Sequence, residues 1–251
     1  MASAYFDPRA PRALAHRGLA IDAPENTLLA FARAMAVGAL YLETDVHASH
    51  DGVAVVSHDP SLDRVAGREV AVGQLTMAEL RRIDLGQAQG FASLEEALDA
   101  FPDSRFNIDV KDDAAVEPVV DAITRTRAAG RVLVTSFSDQ RRRRVAARLP
   151  DVVTSVGSAG VLRFRLAASL GSRSAAIRAL RGARALQVPE RAGILRLVTP
   201  RFVDAAHRIG VEVHVWTVNE PADMTRLLDL GVDGLVTDRV DLALPLIFAR
   251  S

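Results

Sequence analysis

Glu43 and Asp45 lie two residues apart in "LETDV", and Asp109 and Lys111 stand at the same spacing in "FNIDVK". Residues two apart on an extended strand share a face. Each pair therefore turns its charges to one side, with Leu42, Thr44 and Val46 opposite the first and Ile108 and Val110 opposite the second, where Asn107 joins Asp109. Three carboxylates gathered at strand ends repel one another unless something positive sits between them. A hard divalent cation with oxygen ligands answers that need, and Mg²⁺ or Ca²⁺ is the natural choice. Pairing of each carboxylate with one of the many arginines is the other solution. Lys111 is the one lysine among 31 basic residues. A compact ammonium retained in so arginine-rich a chain marks a place where a planar guanidinium does not fit, unless it merely escaped a drift in base composition. Further polar groups close other apolar runs: His16 after "RALA", His58 after "VAVVS", and Gln187, which could reach a substrate hydroxyl, in "ARALQVP". His214 and Trp216 share a face in "VEVHVW".

These groups need elements to hold them. Apolar runs of strand length alternate with stretches of helical period along the whole chain. "RALAHRG" is followed by the helix "ENTLLAFARAMAVG". "LYLETDVH" is extended by "GVAVVSH" after the Asp51-Gly52 turn. Residues 60 to 92 read as a looser insertion after the second strand, holding the short helix "TMAELRRI". Ser93 and Glu96 form a capping box that opens "SLEEALDAF". "RFNIDVK", "RVLVTSF", "DVVTSVG", "ARALQVP", "VEVHVWTVN" and "VDGLVTD" each precede helical material, a single stretch of it over 159–181. Eight strand–helix units in 251 residues predict an α/β fold, a (βα)₈ TIM barrel forming one domain over residues 1–251. A doubly wound open sheet is the competing architecture, and no Gly-rich phosphate loop follows the first strand to support it. Barrel sites form at the C-terminal ends of the strands, where the polar residues above are found.

Composition narrows the function. Acidic and basic residues balance at 31 each, so no overall field draws the chain to nucleic acid or an anionic membrane. The run Arg141–Arg144 has no aromatic residue interleaved and reads as the solvated face of one helix. There is no cysteine, which excludes disulfides, thiolate metal sites and a cysteine nucleophile. "MASAYFDPRAPR" has no apolar leader-like core, and no run reaches membrane-spanning length. The expectation is a cytoplasmic protein without stable membrane insertion or a nucleic-acid partner.

"AHRG", "PENT", "LETDV", "DGVAVVSHD", "FNIDVK", "HVWTVN" and "GVDGLVTD" resemble, in order and spacing, the glycerophosphodiester phosphodiesterases, over about residues 12 to 240. The resemblance implies a (βα)₈ barrel with one divalent ion, hydrolysing glycerophosphodiesters to glycerol 3-phosphate and an alcohol. Position by position, it makes His16 and His58 the acid/base pair and Glu43, Asp45 and Asp109 the metal ligands. Arg17 and Lys111 become phosphate contacts, Trp216 an apolar wall, and Glu25 and Asn26 supporting residues. A hydroxyl of the substrate's own glycerol is the nucleophile the family implies, so neither Ser57 nor Ser136 is needed for attack. Two departures stand out. The third metal ligand is usually glutamate, and Asp109 is a methylene shorter; Ala92 replaces a frequent proline. Of the other histidines, His207 reads as a surface residue, His50 as a solvated turn residue and His214 as a satisfied core residue, while His47 could line the site.

Two rival functions remain. A lysophospholipase D keeps the barrel and the metal but takes a lysophospholipid. "VLRFRLAASLG" is apolar and basic, as a membrane-resting segment would be, though a plain barrel helix has the same composition. A non-catalytic barrel that binds phosphorylated ligands would be signalled by loss of His16 or His58, and both are present.

Overall fold

The computed structural model describes residues 4–7 and 10–250. Eight parallel strands make the barrel: β1 (Arg12–Ala15), β2 (Tyr41–Ala48), β6 (Arg105–Val110), β7 (Val132–Thr135), β8 (Val153–Thr154), β9 (Ala185–Pro189), β12 (Glu212–Trp216) and β13 (Gly234–Thr237). They pair in the order β8-β7-β6-β2-β1-β13-β12-β9, and a single bridge from Ser155 to Ala185 closes the ring. The register matters for chemistry. Asp45 faces Asp109 across β2 and β6, and Ala15 faces Thr237 across β1 and β13, which puts His16 beside Asp238.

The outer helices are α1 (Leu28–Ala36), α4 (Leu94–Ala100), α5 (Val116–Arg125), α6 (Asp139–Arg148), α7 (Ser158–Ser169), α8 (Arg173–Leu180), α9 (Pro200–His207), α10 (Pro221–Asp229) and α11 (Val240–Phe248). Their starts are written locally. Thr27, Ser138 and Thr199 accept hydrogen bonds from the first-turn amides of α1, α6 and α9, and Ser93 with Glu96 makes the expected capping box of α4. One apolar shell packs helices against the outer faces of the strands. A smaller cluster of Tyr5, Leu14, Tyr41, Leu133, Val153, Ala185 and Val236 fills the barrel's interior. Its floor is capped by a 3₁₀ turn, Ala4–Phe6, and by Arg12, which ion-pairs with Glu212 and stacks 5.1 Å from the Tyr41 ring. Gly234 is obligatory here, since a Cβ would come within 2.7 Å of the His214 ring.

Four local expectations need revision. "GVAVVSH" does not lengthen a barrel strand; β3 (Ala54–Val56) folds back antiparallel on β2, outside the ring. The insertion is better ordered than its sequence suggests. It holds β4 (Ser61–Leu62), β5 (Arg68–Ala71) and two short helices, α2 (Asp63–Ala66) and α3 (Met77–Leu80). Leu62, Val72, Met77, Leu80, Ile83 and Phe91 form its core against Val55. The helical stretch 159–181 is two helices, divided at Ser172, which caps α8. Finally, Arg142 is fully buried, reaching Thr154 Oγ1 at 2.9 Å and Asp139 at 3.2 Å, so the arginine run is not a uniformly solvated face.

Candidate active site

A cavity of about 420 Å³ opens at the C-terminal ends of the strands. Among its lining residues are His16, Arg17, Glu43, Asp45, His58, Asn107, Asp109, Lys111, Gln187 and Trp216. Glu25 and Asn26 stand immediately behind, in the loop between β1 and α1, so the residues singled out in the sequence come to one place.

The turn after β1 shapes one edge. Arg17 and Asn26 both adopt left-handed backbone angles, φ 55°, and the Asn26 amide donates to the Arg17 carbonyl at 2.9 Å. Gly18, at φ 86°, lies so close to α1 that a Cβ would meet the Ala30 backbone at 2.6 Å. This tight turn aims the Arg17 amide at Glu43 (3.1 Å) and the Asn26 side-chain amide at Asp45 (3.2 Å). The Asn26 side-chain oxygen accepts from Thr44 at 2.8 Å. The Arg17 guanidinium contacts Glu25 at 2.9 Å and Asp45 at 3.2 Å.

Lys111 holds the centre. Its Nζ lies 2.7 Å from Asp45 Oδ1 and 2.7 Å from Asp109 Oδ2. Burial opposes its charge, but the two carboxylates overcome this and raise its pKa. Burial also opposes the Asp45 anion, and Lys111 and Arg17 reverse the balance and lower its pKa. Asp109 goes the other way: burial dominates, Lys111 only partly offsets it, and its pKa rises. Glu43 has no such cation. Burial, then the Asp45 charge, push it up to about 8.

Each candidate acid/base histidine has a carboxylate on Nδ1. His16 meets Asp238 at 2.6 Å, and Asp238 is held in turn by the Asn219 side chain at 2.7 Å. Burial lowers the His16 pKa, but the hydrogen bond to Asp238 and the Glu43 charge outweigh it and leave a net rise. His58 meets Asp59 at 2.7 Å, and Arg64, on α2, donates to Asp59 at 2.6 Å and to Glu25 at 2.6 Å. Asp238, Asn219, Asp59 and Arg64 were not singled out in the sequence. Asp59 follows His58 directly and could have been flagged. Asp238 becomes a neighbour only once the last barrel strand pairs with the first.

The weaker candidates separate clearly. Gln187 lines the cavity, its amide nitrogen donating to Asn107 Oδ1 at 2.9 Å and lying 3.2 Å from His214 Nδ1. His214 is fully buried, with Glu212 at 2.9 Å. His47 sits behind the site between Asp112 (2.8 Å) and the His58 carbonyl (3.1 Å). His207 is exposed and paired with Asp233. Ser57 and Ser136 donate to the carbonyls of Asp59 and Val110, so neither is poised as a nucleophile. The cavity's other wall is aliphatic and aromatic, with Phe137, Val161, Leu162, Leu195 and Leu197; Trp216 packs edge-to-face on Phe137 at 5.9 Å.

Glu43, Asp45 and Asp109 have the oxygen chemistry a hard cation selects. Two features fit one: Asp109 Oδ1 is buried with no hydrogen-bond partner, and Glu43 faces no opposite charge from Lys111. Among the described residues no three acidic or histidine side chains are already spaced around a common point, because Lys111 stands between two of them.

A profile of the "Glycerophosphoryl diester phosphodiesterase family" matches residues 16–242. A Mycobacterium tuberculosis protein named "Probable glycerophosphodiester phosphodiesterase 2" is 43% identical over 240 residues, 95% of this chain and 91% of that one. A solved structure from Silicibacter pomeroyi superposes with TM-score 0.83 at 27% identity, covering 99% of this chain and 98% of that one. An Oleispira antarctica phosphodiesterase in complex with the product sn-glycerol-3-phosphate has the same fold, with TM-score 0.78 at 20% identity over 94% of this chain and 96% of that one. Among the described residues no helix is long and apolar enough to cross a membrane.

Proposed function

This chain belongs to the glycerophosphoryl diester phosphodiesterase family and is a phosphoric diester hydrolase, and we propose that it cleaves glycerophosphodiesters to glycerol 3-phosphate and an alcohol by histidine acid/base catalysis. One observation carries the reading: His16 and His58, each with its own carboxylate, open into a single cavity with Arg17 and Lys111. A phosphodiester is a stable anion. Its cleavage needs positive charge at the non-bridging oxygens and proton transfer at the attacking and leaving oxygens. Arg17 and Lys111 supply cationic donors. One histidine takes the proton of the attacking hydroxyl and the other delivers one to the departing alkoxide. Asp238 and Asp59 fix each ring by its Nδ1, so the Nε2 atoms carry the proton traffic. With Ser57 and Ser136 committed elsewhere, the attacking hydroxyl comes from water, or from the substrate's own glycerol, in which case the alcohol departs from a cyclic phosphate that a water then opens to glycerol 3-phosphate.

Glu43, Asp45 and Asp109 would hold one divalent ion, Mg²⁺ or Ca²⁺, and Lys111 beside them would contact the phosphate. Such an ion supplies Lewis-acid neutralisation of the phosphoryl charge. Release of glycerol 3-phosphate from glycerophosphocholine, measured with and without EDTA, tests both parts. No release under any metal condition would overturn the hydrolase assignment at this substrate class, and undiminished release after exhaustive chelation would overturn the metal. The apolar wall of Phe137, Val161, Leu162, Leu195 and Leu197 favours a second reading, lysophospholipase D activity. Lysophosphatidylcholine assayed beside glycerophosphocholine separates the two.

A further inference from the structure

The rim above the aliphatic wall is itself apolar and basic. Phe137, Leu162 and Leu166 are 60%, 61% and 61% exposed, and Ile194, at the tip of the hairpin of β10 (Arg191–Ala192) and β11 (Leu195–Arg196), is completely exposed. Large apolar side chains exposed together around a cavity mouth mark an interaction surface. Three observations say what the partner is. Leu162 belongs both to this rim and to the cavity lining, so the patch runs from the surface into the site. On α7, Leu162 and Leu166 are flanked on either side by Arg165 and Arg163, an arrangement that lets leucines enter an apolar phase while guanidiniums stay with its polar surface. And in a chain of zero net charge, the helix that carries the rim leucines, Ser158–Ser169, holds Arg163 and Arg165 and no acidic residue. Of the arginines on α7 and the hairpin, Arg165 and Arg191 meet no carboxylate within ion-pair distance among the described residues; Arg163 lies 3.8 Å from Asp139 and Arg196 pairs with Glu190.

We infer that this rim docks on a lipid surface carrying anionic headgroups, with Leu166 and Ile194 entering the interface and the catalytic cavity opening onto it. A second copy of the chain would bring Arg163 and Arg165 against their own equivalents in a two-fold contact, which like charge opposes. An anionic surface attracts the same residues. The docking is peripheral and does not depend on which diester is cleaved.

The full chain is sedimented with large unilamellar vesicles of phosphatidylcholine alone, or with about 30% phosphatidylglycerol. Wild type should sediment with the anionic vesicles and be released at about 0.5 M salt, where the Debye length falls to a few ångströms. Leu166→Asp/Ile194→Asp should bind at least about 10-fold more weakly, since each aspartate opposes insertion and charge alike. Neither residue lines the cavity, so hydrolysis of soluble glycerophosphocholine by the double variant should match wild type. Wild type that stays in the supernatant with both vesicles would overturn the inference, as would a double variant that sediments undiminished. A wild-type dimer dissolved by the double variant, with no vesicle binding by either, would reassign the face to self-association and equally overturn it.

Discussion

The two walls of the cavity are built on opposite plans. On the wall made by β1, β2, β6 and the insertion, the charged groups answer one another. Arg17 meets Glu25, Glu25 meets Arg64, Arg64 meets Asp59 and Asp59 meets His58, while His16 meets Asp238, which Asn219 holds in turn. On the wall made by β7 to β9, the lining is aliphatic and aromatic, and Arg165 on α7 meets no carboxylate within ion-pair distance among the described residues. A closed network of charges holds its members in one geometry before any ligand arrives, which is what charge stabilisation in a transition state requires. An aliphatic wall imposes no direction and selects by shape and hydration. The difference suggests that chemistry belongs to the first wall and choice of substrate or surface to the second.

The sharpest break of that division is loss of a histidine on the first wall. His16→Ala and His58→Ala should each lower kcat about 10²-fold or more with far-UV circular dichroism unchanged, whereas exposed His207→Ala should leave kcat near wild type. If His207→Ala proved as damaging, the assignment of the functional face would be wrong.

Next comes Lys111→Arg, with an expected loss in kcat/KM of about 10², or about 2.7 kcal/mol of transition-state stabilisation. The ammonium touches Asp45 and Asp109 at once and lies 5.8 Å from the Phe137 ring centre, a space shaped for a point charge rather than a planar fork. Retained charge with normal kinetics would show that shape is irrelevant there.

Arg64→Ala should cost about 10-fold in kcat, more than it changes KM, because the arginine acts on His58 through Asp59 rather than on the substrate. Added guanidinium should restore part of the rate without moving Tm. A pure KM effect would place Arg64 in substrate binding instead.

Glu43 gives a stability test with a defined sign. A carboxyl whose folded pKa is raised to about 8 favours the folded state below its ordinary value near 4.5 and opposes it increasingly as pH climbs between the two. Wild type freed of metal should therefore lose stability from about pH 5 to pH 8, a fall that Glu43→Gln should flatten. At pH 8 the variant should melt roughly 2–4 °C higher, about 1 kcal/mol. Mg²⁺ or Ca²⁺ should raise the wild-type Tm and leave the variant's unchanged, and equal Tm gains in both would remove Glu43 from the metal proposal. The smallest effect is reserved for the second wall: Leu162→Ala should alter glycerophosphocholine turnover less than about two-fold while raising KM for a lysophospholipid several-fold. Equal effects on both substrates would dissolve the distinction between the walls.

Much of this was legible because strand periodicity is short-range. Glu43 with Asp45, and Asp109 with Lys111, declare a shared face by spacing alone, and the barrel follows from eight repeats of one pattern. What escaped were partnerships across long stretches of chain. Asp238 reaches His16 only through closure of the ring, and Arg64 reaches Glu25 only after the insertion folds back. Arg142 shows a different failure, in geometry rather than distance. Four consecutive helical residues span most of a turn's circumference, so the run Arg141–Arg144 had to send one side chain inward, where Thr154 and Asp139 receive it. The folded-back β3 was hidden for a third reason, since an apolar run after a turn does not declare which side it returns on.

That return strand has a mechanical consequence. His58 rides on the outer arm of a hairpin whose inner arm bears Glu43 and Asp45, with Val46 paired to Val56 and the Ser57 amide bonded to the Asp45 carbonyl at 3.0 Å. Any tilt of the hairpin carries His58 and those two carboxylates together, as points on one lever. His16 is tied to the same pair from the other side, through the β1–β2 ladder at Leu14–Tyr41 and Ala15–Leu42 and through the amide of its neighbour Arg17 on Glu43. The inner arm is thus a common bearing on which both imidazoles are referenced, each by its own strand.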